Sequence, residues 1–215
     1  MNAFYQQFLT DKSFSLLTEL KKQFKFILIG GWAVYFYTKS LKSKDIDMIV
    51  DFSQLEQFKK EFTIEKNERL KKYQIKIEEI DIDIYLPFYS DLGLPVEEII
   101  KKTTLVNGFI LLEKEILLLT KLKAYQDRKE SVKGQKDLVD IISLVLLEDF
   151  DFNYLLDLIN KHRLGKYWQV LEKLVLETKE VAELNLNQHA FAKKKKEILR
   201  SCLKTKANSF IRACN

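Results

Sequence analysis

An apolar run, Phe26-Ile-Leu-Ile29, stops at Gly30-Gly31, and fourteen residues after the second glycine the segment Asp45-Ile-Asp47-Met-Ile-Val50 begins. A β-rich run that ends in two glycines reads as a strand followed by a turn. Residues 32–39 then carry an aromatic set, Trp32, Tyr35 and Phe36, and read as a helix. From Asp45 to Phe52 the pattern alternates, which places Ile46, Met48 and Val50 on one strand face and Asp45, Asp47 and Ile49 on the other. A backbone without side chains in the way can approach phosphates. Two carboxylates on one strand face can hold magnesium. Both halves of a phosphoryl-transfer site are therefore readable from one short stretch.

A second alternating segment spans Tyr73–Leu86, with Ile80, Ile82 and Ile84 on one face and Asp81, Asp83 and Tyr85 on the other, and Pro87 ends it. Residues 4–23 read as one or two helices. Ser53 is the expected N-cap of a helix through Glu61, with Glu56 closing a capping box. Pro95 opens a short helix at 96–101, and Leu105–Leu112 reads as a strand bent at Asn107-Gly108. Beyond Glu113 only helices are expected: Leu117–Arg128, Lys133–Leu147, one capped by Asp151 and broken around Gly165, and two more to the C-terminus. The fold class is thus α/β (α+β): a small mixed β-sheet domain over residues 1–112 and a C-terminal helical domain over 113–215. Only 6 Gly and 2 Pro among 215 residues exclude a disordered chain or a turn-rich all-β fold.

No apolar run reaches the ~18 residues needed to cross a bilayer, so no membrane partner is expected. The N-terminus has no charged segment leading into an apolar one, and a cytoplasmic location follows as the expectation. Cys202 and Cys214 have neither metal-ligand spacing nor further partners. The net charge of +5 is uneven: residues 161–215 carry 13 Lys and Arg against 5 Glu, while the remainder carries 23 basic and 26 acidic residues. The basic third suits a polyanion such as RNA, and equally a solvated helix face.

Gly30-Gly31 is not a dinucleotide fingerprint, because position 34 is Val, and no Gly-Lys-Ser/Thr follows to make a P-loop. Asp45 and Asp47 lie ~6–7 Å apart along a strand. They repel each other unless a cation sits between them. Magnesium takes oxygen ligands and keeps substrate phosphates in its shell. The strand is otherwise apolar, where an unpaired acid is costly. If the strand of Asp81 and Asp83 is a neighbour, one of these acids completes a three-carboxylate cluster able to hold two metals for in-line transfer. Asp83 is the preferred third ligand, Asp81 is held in reserve, and the acid left over should face solvent or a lysine.

An apolar strand, Gly-Gly, a helix, Asp-x-Asp on a following strand and a later strand acid together resemble the polymerase-beta-type nucleotidyltransferase superfamily, over about residues 24–90. The resemblance implies that Gly30 and Gly31 hold a nucleoside triphosphate. It also implies that Asp45, Asp47 and Asp83 bind two Mg2+ ions, the last helping to activate an acceptor hydroxyl. Lys44, directly before the first carboxylate, joins the nucleotide-binding set. The second glycine replaces a frequent Ser, which removes a hydroxyl contact to phosphate.

Lys121-Leu-Lys-Ala-Tyr-Gln-Asp-Arg128 and Lys136-Asp137-Leu-Val-Asp140-Ile are similar to two motifs of the AbiEii-like, toxin-type branch of that superfamily. The match implies that Lys121, Arg128 and Lys136 lie near nucleotide phosphates, supported by Asp137 and Asp140. Lys136 stands where that branch usually has Arg, so a bidentate contact is lost. Lys121, Arg128, Asp137 and Asp140 also read as a surface salt-bridge network at helical spacing. His162 and His189 lack neighbouring ligand types. Lys193–Lys196 reads as a solvated run or an RNA contact, and Tyr167-Trp168 as core or a base-stacking pair.

The expected activity is magnesium-dependent transfer of a nucleoside monophosphate from a triphosphate to an acceptor hydroxyl, with the nucleotide between the two domains. RNA (a tRNA end, for example), a protein side chain or a small molecule of the antibiotic type would serve as acceptor. In a toxin–antitoxin or abortive-infection system an antitoxin protein would be the partner. The competing expectation is a non-catalytic nucleotide- or nucleic-acid-binding module that keeps the glycines without needing the full acidic set.

Overall fold

The structure, a computed structural model, describes residues 3–184, 189 and 191–200. The chain divides into two compact units, Met1–Glu113 and Lys114–Asn215.

The first unit opens with helix α1 (Ala3–Gln23), which leads into strand β1 (Ile27–Ile29) and helix α2 (Gly30–Thr38). Strand β2 (Ile46–Ile49) and helix α3 (Phe52–Glu61) follow. Three strands come next, β3 (Glu65–Asn67), β4 (Lys72–Ile77) and β5 (Ile80–Tyr85). Helix α4 (Val96–Ile99) and the hairpin of β6 (Thr103–Val106) and β7 (Phe109–Leu112) complete it. The seven strands form one mixed sheet in the order β3-β4-β5-β2-β1-β7-β6. β2 is antiparallel to β1 and parallel to β5.

Apolar alternation builds the core. Leu28, Ile46, Met48, Ile82 and Ile84 are fully buried along the three central strands. Ile49, on the aspartate face of β2, is buried as well, so that face is covered at this end of the strand. Trp32 fixes α2 to α1: its ring is buried and its indole N–H donates to Ser13 Oγ at 2.9 Å. Phe24 stacks on Phe58 of α3 with ring centres 3.8 Å apart.

Several local expectations are corrected. The helix begins at Gly30, two residues earlier than expected, while the expected turn falls on Gly30 itself, at φ +68°. The segment 73–86 is not one strand: it folds back at Glu78-Glu79, with Glu78 at φ 53°. Likewise 105–112 is a hairpin, reversed by Asn107 and Gly108 at φ 50° and 75°, values that the tightest hairpin turns require at both central positions. The N-cap of α3 is Asp51, not Ser53: its carboxylate accepts from the Gln54 N–H at 2.8 Å, and Ser53 Oγ donates to the same oxygen at 2.7 Å. Both donors favour the ionised form and hold the Asp51 carboxyl below its ordinary range.

The second unit is helical: α5 (Lys114–Arg128), α6 (Val132–Val145), α7 (Phe152–Lys161), α8 (Gly165–Glu177), a 3-10 turn at Ala182–Leu184 and helical residues 191–200. Asp151 caps α7 by accepting from the N–H groups of Asn153 and Tyr154. Tyr167 and Trp168 are buried in the core of this unit, which leaves no ring face for a base. The lysine run is not wholly solvated. Lys195 donates to the carbonyls of Leu176 and Thr178, the latter at 3.0 Å, and so closes the C-terminal end of α8. His162 ends α7 as its C-cap. Cys202 and Cys214 lie outside the described residues. Among the described residues no helix is long and apolar enough to cross a membrane.

Candidate functional site

Ile29, the last residue of β1, sits opposite Asp47 across the antiparallel pair. The next residue, Gly30, has φ +68°, and a Cβ placed there would lie 2.1 Å from Asp47 Oδ2. Glycine is therefore demanded twice, once by the backbone and once by the carboxylate leaning on it. At Gly31 a Cβ would come within 2.9 Å of Ser43 Cβ and Oγ. Ser43 in turn donates to the Asp45 carbonyl at 2.8 Å, which ties the approach to β2 against the start of α2. The N-cap of α2 is Ile29, whose side chain makes no capping hydrogen bond. The first N–H groups of α2 start beside Asp47, at a helix end of the kind that receives anions.

β2 and β5 are neighbours, and their parallel register sets Asp47 beside Asp83 on one face. Asp83, expected as the third metal carboxylate, is already engaged. Lys72 of β4 pairs with its Oδ2 at 2.5 Å, and Gln74 Nε2 donates to its Oδ1 at 3.0 Å. Asn67 of β3 donates to Gln74 Oε1 at 2.9 Å, so a row of polar side chains crosses four strands. Asp81 lies opposite Lys76 in the antiparallel register of β4 and β5. The lysine neighbour expected for the spare acid is therefore found at the preferred one as well. Asp45 stands just before β2. Its side chain has other interactions, but its Oδ1 is buried with no hydrogen-bond donor on it. Lys44 is half-buried in the bend ahead of Asp45.

Asp45 and Asp47 are hard oxygen donors two residues apart, and that chemistry fits one magnesium completed by water and phosphate. Among the described residues no three His, Cys, Asp or Glu side chains are grouped to hold a metal, and the expected third carboxylate, Asp83, has Lys72 and Gln74 on its oxygens.

The second candidate patch lies within the helical unit and forms a cluster of its own. Lys121 of α5 pairs with Asp140 of α6 at 2.6 Å and reaches Asp137 at 3.4 Å. Arg128 grips Asp137 with two bonds, Nε to Oδ2 at 2.8 Å and Nη2 to Oδ1 at 3.0 Å. Lys121, Asp137 and Asp140 are buried, so this is an interior ion-pair network rather than a surface one. Burial drives the Asp140 carboxyl above its ordinary range, opposed by Lys121 beside it. Lys136 is exposed, and its charge also opposes the rise at Asp140. Sequence reasoning missed Lys72, Gln74 and Ser43. The first two share the period-two alternation of Lys72-Tyr-Gln-Ile-Lys76, a signal readable once the hairpin turn is located.

No protein-family model matches the chain, and no curated protein matches it. Solved structures do. JHP933 from Helicobacter pylori is 18% identical, with 98% of each chain covered and a TM-score of 0.48. An antigenic nucleotidyltransferase-like protein from Paracoccidioides brasiliensis is 16% identical over 74% of this chain and 91% of its own, with a TM-score of 0.38. A candidate nucleotidyltransferase from H. pylori is 18% identical over 95% of this chain and 96% of its own, with a TM-score of 0.51. The mixed sheet with its following helices thus has the fold of that third protein, a likeness of fold at an identity too low to carry activity.

Proposed function

We propose that this chain is a magnesium-dependent nucleotidyltransferase that moves a nucleoside monophosphate from a triphosphate to an acceptor hydroxyl and releases pyrophosphate. One observation carries the reading: the carboxylate of Asp47 leans on Gly30 at the start of α2. Anion-binding N–H groups and a metal-binding acid then share one corner of the sheet. In this reading the backbone at Gly30 and Gly31 holds the phosphates, and Lys44 adds positive charge beside them. Asp45 and Asp47 hold magnesium. Bound there, the ion would neutralise phosphate charge as the bond to the leaving pyrophosphate breaks. The chain's own contribution is positioning and fixed dipoles.

RNA is the favoured acceptor, because the basic third of the chain keeps Lys193 and Lys196 exposed. The paired motifs around Lys121–Arg128 and Lys136–Asp140 favour the AbiEii-like branch, with an antitoxin as partner. In this reading Lys121, Arg128, Asp137 and Asp140 take a supporting role, their ion pairs holding two helices in register.

The test is transfer of label from each of the four triphosphates to total RNA in magnesium, comparing wild type with Asp47→Asn. Label on RNA that is lost in the variant is the expected result. Equal transfer by both proteins, or no nucleotide binding by either, would sink the enzyme reading and leave a binding module.

A further inference from the structure

We propose that Lys72 is a built-in cation that occupies the second metal's place at Asp83, so that this chain works with one divalent ion. The inference rests on the nucleotidyltransferase reading of the same site. Register puts Asp83 directly beside Asp47, where a third metal-binding carboxylate would be useful. Yet both oxygens of Asp83 are in use, one by the Lys72 ammonium and the other by the Gln74 amide. The orientation of that amide is fixed, because Asn67 donates to its oxygen and leaves the NH2 group facing Asp83. The pair is well sheltered: the side chains of Lys72 and Asp83 are only 11% and 14% exposed. An ammonium this close cancels the charge that would draw a divalent ion, and it would repel any ion that shared the carboxylate. A carboxylate keeps spare lone pairs, but electrostatics rather than lone-pair count decides here.

The arrangement is built from three adjacent strands, which separates it from a chance surface pair. Lys72 is supplied by β4, Asp83 by β5, and the Asn67 brace by β3. Lys72 is itself buried, and a lysine is seldom fully buried unless paired. A chain that needed Asp83 for a second ion would gain nothing from placing a sheltered lysine on it.

Ion counting tests the proposal without relying on turnover. Wild-type protein is titrated with Mn2+ in the presence of the non-hydrolysable α,β-methylene analogue of each triphosphate, and free Mn2+ is followed by electron paramagnetic resonance. One Mn2+ per bound nucleotide is expected in wild type and in Asp83→Asn, with Mn2+ affinities within about twofold. In Lys72→Met a second ion should bind, because Asp83 is uncovered. Circular dichroism checks that this variant folds, and the Asp83→Asn count stands on its own if it does not. Two ions per nucleotide in wild type, falling to one in Asp83→Asn, would overturn the inference alone. A folded Lys72→Met that still binds one ion would overturn it too. Absence of nucleotide binding in wild type would overturn the nucleotidyltransferase reading and this inference with it.

Discussion

Two polar clusters, one in each unit, solve the problem of buried charge in different ways. In the helical unit, two cations and two carboxylates interlock: Lys121 with Asp137 and Asp140, and Arg128 with Asp137. The set joins α5 and α6, and its charges balance. On the sheet, the ion pair Lys72–Asp83 stands beside Asp47, which has Asp45 just upstream and lies against Gly30 at the start of α2. That corner concentrates acids and helix-start donors at one place. A balanced cluster locks helices together, whereas an acid-rich corner at a helix start is what the proposed metal and nucleotide would use.

Substitutions can break or sharpen this contrast. The largest effect is expected from Asp137→Ala, which takes from Arg128 its bidentate partner and from the buried Lys121 one of its two carboxylates. Removing one partner of a buried network costs about 3–5 kcal/mol, read as a lowered midpoint in urea unfolding of the full chain. Asp47→Asn should do the reverse, leaving the urea midpoint nearly unchanged while transfer falls at least about 100-fold, the usual loss for one electrostatic group aimed at the reacting centre. If Asp47→Asn unfolds the protein instead, the contrast fails. Gly30→Ala mixes both effects. The positive φ alone costs about 1–2 kcal/mol, and the collision with Asp47 should weaken nucleotide binding in an equilibrium titration.

The sheet unit also holds a purely structural acid for comparison. Asp51→Ala removes the cap of α3 and should cost about 1 kcal/mol. Because Asp51 titrates lower in the folded chain than unfolded, its charge stabilises fully above the ordinary carboxylate range. That contribution is lost as pH falls through the folded value, so the wild-type advantage over Asp51→Ala should shrink in acid. The smallest change belongs to the exposed Lys123–Asp127 pair of α5, where Asp127→Ala should cost no more than about 0.5 kcal/mol.

The alternation of Ile46, Met48, Ile82 and Ile84 made the central strands legible, since period-two burial depends only on local pattern. The fold class followed from where that pattern stops. The place of Asp47 on β2, with Asp45 just ahead of it, was legible for the same reason, and the end of β1 from the glycine pair that follows it. What the chain concealed was register. Nothing near Glu78-Glu79 marks a reversal by composition, since neither Gly, Pro nor Asn stands there, so Lys72 could not be set against Asp83. β3 is three polar residues with no apolar face to betray it. The cap of α3 was misplaced by two residues because Ser53 fits a capping pattern that Asp51 fulfils in space. Of the helical cluster, the sequence displays the residues but not their depth, which depends on how α5 and α6 pack.

The 2.1 Å separation between Asp47 Oδ2 and a would-be Cβ at Gly30 also links the fates of these two positions. Trimming the carboxylate at 47 would remove the two closest approaches, at 2.1 and 2.6 Å, and leave the 2.7 Å approach of its Cβ and the φ of +68°. Shortening residue 47 should therefore soften the penalty of Gly30→Ala, and the two changes together should cost less than their sum. Among relatives of this chain, a paired loss at both positions would mark a lineage that kept the sheet and abandoned the chemistry.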